Sequence, residues 1–312
     1  MMAPNDLTFL APPGEVADWR LVLLCDQAAS AGVLSALPGT VDGLAADLGL
    51  DTHALRVVLQ ALEALGVVEA GEGGEYRPGP SAPDADTLHT IGHHARSMRR
   101  WATAVGPALR GEDLSREAAT PDPEAFHDAL AANARRVAPA VVDACLARFP
   151  EARTVLDLGG LHGEYSLEFA RRGLKATMQD RPAMIEVARK RGRLDAAGVE
   201  LFAGSFFDSV PEGPFDLAFC SGITHTFDGE RNLMLYNNLR PVVTGGVAVV
   251  TSIQARNDHA RLFAVQMLIN GNGGDTHTEA EYRQWLGEAG FTVDEGVSDL
   301  PGRGGRSVLF AT

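Results

Sequence analysis

Asp157, Gly159, Gly160 and Gly163 crowd into one short stretch, Val155-Leu156-Asp157-Leu158-Gly159-Gly160-Leu161-His162-Gly163, and residues of those types at that spacing can hold a polar ligand. The apolar run from Thr154 reads as a buried parallel strand that the glycines break. From Glu164 to Arg172 the spacing turns helical, with Tyr165, Leu167, Phe169 and Ala170 as apolar contacts. A strand, tight turn and helix set a carboxylate beside the unpaired N–H groups of a helix start. Glycine suits the turn because it accepts positive φ and lets a ligand approach the backbone. A second carboxylate, Asp180, ends the next predicted strand, Leu174 to Asp180, ahead of Arg181-Pro182 and another helix.

The spacing narrows the ligand. A dinucleotide site expects Gly-x-Gly-x-x-Gly, whereas here an acid precedes Gly159 by two residues and Gly163 by six. That favours S-adenosylmethionine: its methionine half carries an ammonium and a carboxylate, and no pyrophosphate demands a third glycine. Asp180, at the end of the second strand, is placed to bond both ribose hydroxyls, although a nicotinamide cofactor has that ribose too. The plainer alternatives are an ordinary strand-to-helix turn with a surface Asp157, and Asp180 as an N-cap before Pro182.

Asp157 to Gly163, Asp180-Arg181-Pro182, Gly204-Ser205-Phe206-Phe207 and Ile223-Thr224-His225-Thr226-Phe227-Asp228 follow in the order and at the distances of the class I S-adenosylmethionine-dependent methyltransferase motifs. Over nearly its whole length the chain resembles the small-molecule O-methyltransferases of plant phenolic and bacterial natural-product chemistry. The resemblance implies an α/β fold: a Rossmann-like, doubly wound, seven-stranded sheet with an N-terminal, mainly helical winged-helix domain that joins two subunits. It implies S-adenosyl-L-methionine as cofactor, a small aromatic hydroxyl acceptor and a homodimer. It also implies cofactor contacts at Asp157, Gly159, Gly160, Gly163, Asp180, Arg181, Gly204, Ser205, Phe206, Cys220 and Ser221.

Methyl transfer from sulfonium to oxygen is an in-line displacement, so the protein must align the acceptor and remove one proton. His225 is the candidate base, because imidazole with a pKa of about 6.5 is largely neutral at pH 7 and can accept a phenolic proton. It coincides with the base of the resembling family; the alternative is a capping or core histidine. The chain also departs from the family. Ser205 replaces an acid, and Thr226 follows His225 where Asp is common. Ser252 and Thr276 stand where plant members carry Glu, and Leu161 replaces a loop glycine. Asp275 and Asp228 are the nearby carboxylates left to orient the base. Methylation at carbon or nitrogen, a nicotinamide-dependent oxidoreductase and a non-catalytic S-adenosylmethionine sensor are the competing functions.

These residues need elements to carry them. Residues 151–312 read as the cofactor domain: helix Ala183 to Arg193, strand Glu200 to Ala203, strand Phe215 to Cys220, helix Arg231 to Leu239, strand Val247 to Ile253 and helix His259 to Ile269. A capping box at Thr278 and Glu281 opens a helix that stops at Gly290, and strands Phe291 to Glu295 and Ser307 to Ala311 finish the sheet. Residues 81–150 read as a helical connector, with helices about Trp101 and from Glu124 to Phe149, the latter broken or kinked by Pro139. Phe126, His127, Leu130 and Asn133 from the connector, with Phe263, Met267 and Asn270, are the expected acceptor walls. A structurally bonded histidine is the plainer reading of His127, and core packing that of Phe263 and Met267.

Residues 1–80 read as a winged helix. A helix from Asp18 to Leu37 is followed by one from Thr40 to Gly49, one capped by Asp51 or Thr52 and running to Leu65, and a hairpin about Gly71 to Gly74. Its charge opposes nucleic-acid binding: between residues 40 and 80, Asp42, Asp47, Asp51, Glu63, Glu69, Glu72 and Glu75 are opposed by Arg56 and Arg77 alone. The whole chain, net −14, repels phosphate backbones and anionic membranes. Cys25, Cys145 and Cys220 are too scattered for a disulfide frame or a metal site and read as free thiols in a reducing cytoplasm. Neither a secretory signal nor a membrane span is expected from the sequence.

Overall fold

The structure, a computed structural model, describes residues 19–114, 123–254, 256–270, 274–295, 297–300 and 306–312. Between Met98 and Arg99 the chain divides into two compact units. The first holds α1 (Trp19–Ser30), β1 (Gly39–Thr40), α2 (Val41–Leu48), α3 (Thr52–Ala64), β2 (Val68–Ala70), β3 (Glu75–Pro78) and the start of α4 (Ala85–Leu109). Helix α1 ends at Ser30 rather than Leu37, because Gly32 takes φ +79° and the Val33 N–H turns back to the Ala28 carbonyl. Asp18, the expected helix start, lies outside the described residues. Thr40 caps α2 by accepting the Gly43 N–H at 3.2 Å, and Asp51 caps α3 by accepting the Ala54 N–H at 2.7 Å. Strand β3 lies between β1 and β2, antiparallel to both. Leu44, Leu55, Leu59, Leu62, Val68 and Tyr76 form the core of this unit.

The second unit continues with α5 (Pro123–Arg148), β4 (Thr154–Leu158), α6 (Glu164–Arg171), β5 (Lys175–Asp180), α7 (Pro182–Arg191), α8 (Arg193–Ala196), β6 (Glu200–Ala203) and β7 (Phe215–Ser221). It ends with α9 (Gly229–Leu239), β8 (Val243–Thr251), α10 (Asp258–Asn270), α11 (Glu279–Glu288), β9 (Ser298–Asp299) and β10 (Ser307–Ala311). Pro139 sits inside α5 without ending it. Gly192, at φ +67°, separates α7 from α8 where one helix to Arg193 is expected.

The sheet order is β6-β5-β4-β7-β8-β10-β9, with β6 through β8 parallel and β10 antiparallel to both its neighbours. Alternate residues serve opposite layers. Val155, Met178, Leu217, Phe219 and Val250 pack with α5 and α6 residues such as Val142 and Phe169, whereas Leu156, Leu158, Ala218 and Val249 pack with Leu235, Tyr236 and Tyr282. Covering on both faces explains why these strands read as continuous apolar runs.

Two sheet boundaries differ from the sequence reading. Strand β8 starts at Val243, not Val247, and takes in Gly245 and Gly246. A Cβ on Gly245 would collide with the Asp216 carbonyl and one on Gly246 with the Ala311 carbonyl. These glycines therefore mark close neighbouring backbones rather than a turn. The strand before the last is Ser298–Asp299; the segment expected there, Phe291 to Glu295, contributes only the isolated bridge between Val293 and Ala311. No described helix is long and apolar enough to cross a membrane.

Candidate active site

The carboxyl ends of β4, β5, β7 and β8 lie on one edge of the sheet, where open α/β sheets bind ligands. At the end of β4 the backbone bends through Gly159 (φ +64°), Leu161 (φ +44°) and Gly163 (φ +71°). Leu161 holds a left-handed conformation that costs a non-glycine residue about 1 kcal/mol or more. Its N–H donates to Asp180 Oδ2 at 2.8 Å, which fixes the turn. A Cβ on Gly160 would lie 2.5 Å from Met178 Cγ and 2.9 Å from Asp157 Oδ2, and one on Gly159 would strike Ile223. The protein's own packing, and not only ligand approach, thus demands glycine at these positions.

Asp157 is buried, accepting the Ser166 hydroxyl at 2.6 Å. Burial raises its pKa to about 7 against that hydrogen bond, and the charge of Asp180 pushes the same way. Asp180 is raised too by burial, opposed by the N–H groups of Leu161 and Arg181. A pair of desolvated acids suits a ligand bringing an ammonium and a ribose. Ser221 Oγ at the end of β7, Gln179 Oε1 in β5 and Tyr165 OH in α6 are buried without a hydrogen-bond partner, so polar groups remain to be satisfied along this edge. The residues present therefore fit a polar nucleoside cofactor.

The other expected cofactor residues are placed unevenly. Gly204 N–H donates to the Asp180 carbonyl, and Ser205 Oγ accepts the Phe207 N–H at 3.2 Å, so that hydroxyl serves its own turn. The Phe206 ring lies 4.8 Å from Phe207 and 5.8 Å from Phe227. Arg181 meets Asp180 through its backbone N–H at 2.7 Å. The Cys220 side chain is wholly buried in the core with Leu156 and Leu158, and burial raises its thiol pKa.

His225 rides a 3-10 turn, Thr224–Thr226, beyond β7. That turn is held from several sides: Asn232 Nδ2 donates to the Thr224 carbonyl at 3.0 Å and to that of Phe227 at 3.2 Å, and Thr224 Oγ1 lies 2.9 Å from Tyr282 OH. His277 Nε2 lies 2.7 Å from the Phe227 carbonyl. The imidazole of His225 is 8% exposed and meets the Phe263 ring edge-on at 4.8 Å. Its Nδ1 is buried without a partner, leaving Nε2 as the nitrogen available to an acceptor. Burial first, then the positive charge of Arg306 and the neighbouring His277, pulls its pKa down to about 3. Among the described residues no carboxylate supports it: Asp228 caps α9 through the Arg231 N–H, and Asp275 is exposed and accepts the Thr276 N–H. Thr276 Oγ1 is itself buried and unpartnered.

The expected acceptor walls divide in the same way. Phe263 touches His225, and Met267 is buried, while Asn270 accepts from Gln266, whose Oε1 in turn accepts the Trp101 indole N–H at 2.6 Å. His127 is buried with Nδ1 3.0 Å from Asp128. Leu130 is half-buried and Asn133 exposed; the Phe126 side chain lies outside the described set. Sequence reasoning missed Arg306 and Gly274. A Cβ on Gly274 would run into the His225 carbonyl, a proximity that no local pattern could reveal. Among the described residues no group of His, Cys, Asp and Glu could hold a metal.

The family model of the O-methyltransferase domain matches residues 93–292. The chain belongs to that family. It is a methyltransferase that moves a methyl group from S-adenosylmethionine to a hydroxyl. Among its relatives, flavonoid 4'-O-methyltransferase 4 of Mentha piperita is 30% identical over 225 residues, 65% of this chain and 61% of that one. The chain thus spans about three fifths of the mint enzyme's length. The 3-hydroxy-5-methyl-1-naphthoate 3-O-methyltransferase of Streptomyces sahachiroi is 28% identical over 78% of this chain and 77% of its own. The fold of this O-methyltransferase is that of human N-acetylserotonin methyltransferase, solved with its cofactor, at TM-score 0.74 and 18% identity over 100% of this chain and 99% of that one.

Proposed function

We propose that this O-methyltransferase acts on the hydroxyl of a small aromatic, natural-product-like acceptor, with His225 as the general base. The observation that carries this reading is an imidazole kept neutral by burial on a fixed turn at the ligand-binding edge, in edge contact with Phe263. Relatives named for a flavonoid and a naphthoate support the aromatic acceptor. When bound, S-adenosylmethionine would supply an electrophilic methyl carbon on its sulfonium, open to in-line attack by an oxygen lone pair with S-adenosylhomocysteine as the leaving thioether. Asp157 suits its ammonium, Asp180 its ribose, Gly204 to Phe206 its base and Ser221 the polar rim between them.

The chain's own work is alignment and proton removal. A phenol of pKa about 10 does not hand its proton to a resting imidazole held far below neutrality. As the methyl arrives the oxygen becomes positive and its proton far more acidic, so His225 takes it during or after the transfer. The resulting imidazolium has no carboxylate among the described residues to hold it and passes its proton on to water.

The test is turnover of S-adenosylmethionine with a panel of phenols, the product located by mass spectrometry and NMR. His225→Gln should lower kcat by about a hundredfold or more while leaving the affinity for S-adenosylhomocysteine intact. Full turnover by that variant rejects the base, and a new C-methyl or N-methyl signal rejects the hydroxyl.

In this reading the acceptor walls are Phe263 and Met267 from α10, with His127, Leu130, Asn133 and Asn270 at their margins. The N-terminal unit, a winged helix in this reading, joins two copies of the chain in the cytoplasm. Trp19 (60%), Val57 (51%) and Leu65 (44%) are exposed apolar side chains available to such a contact, and its acids speak against nucleic acid. Light scattering on the eluting protein distinguishes a dimer from a monomer.

A further inference from the structure

Arg306 stands immediately before β10, whose first residue, Ser307, pairs with Thr251 in β8. That register sets Arg306 beside Ser252, at the edge of the sheet where the loops of Asp157 and His225 emerge. It is half-buried, and its positive charge acts on His225 beyond β7 and on His162 beyond β4, so it stands within electrostatic reach of both loops.

Several other cations of this unit have carboxylates. Arg135 and Arg193 bind Glu164 at 2.9 and 2.6 Å, Arg191 binds Asp128, Lys190 binds Glu124 at 3.0 Å and Arg256 binds Asp299 at 2.7 Å. The nearest acid along β9, Asp299, also accepts the Ser307 hydroxyl at 2.8 Å. Arg306 has no ion-pair partner among the described residues. In a chain of net charge −14, a half-buried cation left without a carboxylate is set to receive an anion.

Position says which anion. In the sheet order β10 lies three strand spacings from β4, roughly 14 Å, whereas the cofactor's amino-acid tail belongs to the loop after β4. His225 follows β7, between the two. The backbone that carries the guanidinium therefore lies on the acceptor's side of the base. We propose that the acceptor is a hydroxylated aromatic carboxylic acid, and that Arg306 binds its carboxylate and so presents the ring hydroxyl to His225. The proposal rests on the acceptor reading above and narrows it to a substrate class.

The experiment compares hydroxybenzoic and hydroxynaphthoic acids with their methyl esters, using wild type, Arg306→Gln and Arg306→Lys, with the affinity for S-adenosylhomocysteine measured by calorimetry on each protein. The wild type should prefer an acid to its ester. Arg306→Gln should raise KM for the acid at least about tenfold and well beyond any change it causes on the ester, leave the nucleoside affinity unchanged, and be partly rescued in Arg306→Lys. Equal kcat/KM for acid and ester in the wild type overturns the proposal. So does a tenfold loss of nucleoside affinity in Arg306→Gln, which assigns the cation to the cofactor, or an equal fall in kcat on both acceptors, which assigns it to the reacting oxygen. If the wild type methylates no hydroxyarene at all, the aromatic acceptor reading fails and this inference with it.

Discussion

Replacing Gly274 with alanine tests whether the placement of His225 controls turnover. The new Cβ would lie less than 3.0 Å from the His225 carbonyl oxygen, 3.0 Å from Thr226 Cα and 3.2 Å from the Thr226 carbonyl carbon. Ordinary van der Waals contact begins near 3.4 Å, so relief against Thr226 Cα alone needs 0.4 Å, and relief against the oxygen needs more. All three neighbours are main-chain atoms, so no rotamer change helps. The His225 turn is held by Asn232 and by Tyr282, so part of the strain becomes movement of the imidazole. A misplacement of about 1 Å at a reacting group costs roughly a hundredfold in rate. Gly274→Ala should therefore lower kcat on a phenolic acceptor about ten- to hundredfold. Affinity for S-adenosylhomocysteine should stay unchanged, because Asp157, Asp180 and the glycine turn lie on other strands. Steady-state kinetics and calorimetry read the two quantities, with thermal melting to confirm folding. A folded Gly274→Ala protein that keeps kcat within about twofold refutes the reasoning, since the turn would then absorb the clash without moving the base.

Other outcomes follow from the same site. Asp157 in the free protein titrates at about 7, and a ligand bearing an ammonium needs its ionised form. Affinity for S-adenosylhomocysteine should fall about tenfold per pH unit below that value, because binding must expel a proton, and Asp157→Asn should flatten the dependence in calorimetric titrations. His225, lowered to about 3, stays neutral throughout the usual assay range. With cofactor saturating, kcat/KM for the acceptor should show no acidic limb near pH 6.5, the ordinary imidazole value. A limb there that vanishes in His225→Gln contradicts the burial argument. In the N-terminal unit, Asp51→Ala removes the 2.7 Å cap of α3 and should cost about 1 kcal/mol in urea unfolding, with glycine costing less.

Where the chain states its structure locally, sequence and structure agree. The caps at Thr40, Asp51 and Thr278, the apolar strands β4 and β7, and the glycine turn after β4 depend on neighbours a few residues apart. Glycine was the ambiguous sign. Gly245 and Gly246 look like a turn in sequence yet sit inside β8, because what requires them is the backbone of Asp216 on one side and of Ala311 on the other. The same ambiguity hid Gly274.

The sequence by itself determined the α/β alternation, the acids at the ends of β4 and β5, and the family, since each is written in residue type and short-range spacing. Tertiary structure decided the rest. It left His225 without a carboxylate among the described residues, buried it beside Phe263, turned the Cys220 side chain into the core and brought Arg306, just before the last strand, within electrostatic reach of His225. Those outcomes depend on which strands become neighbours and how much water reaches a side chain, and both are properties of the packed chain, not of any stretch within it.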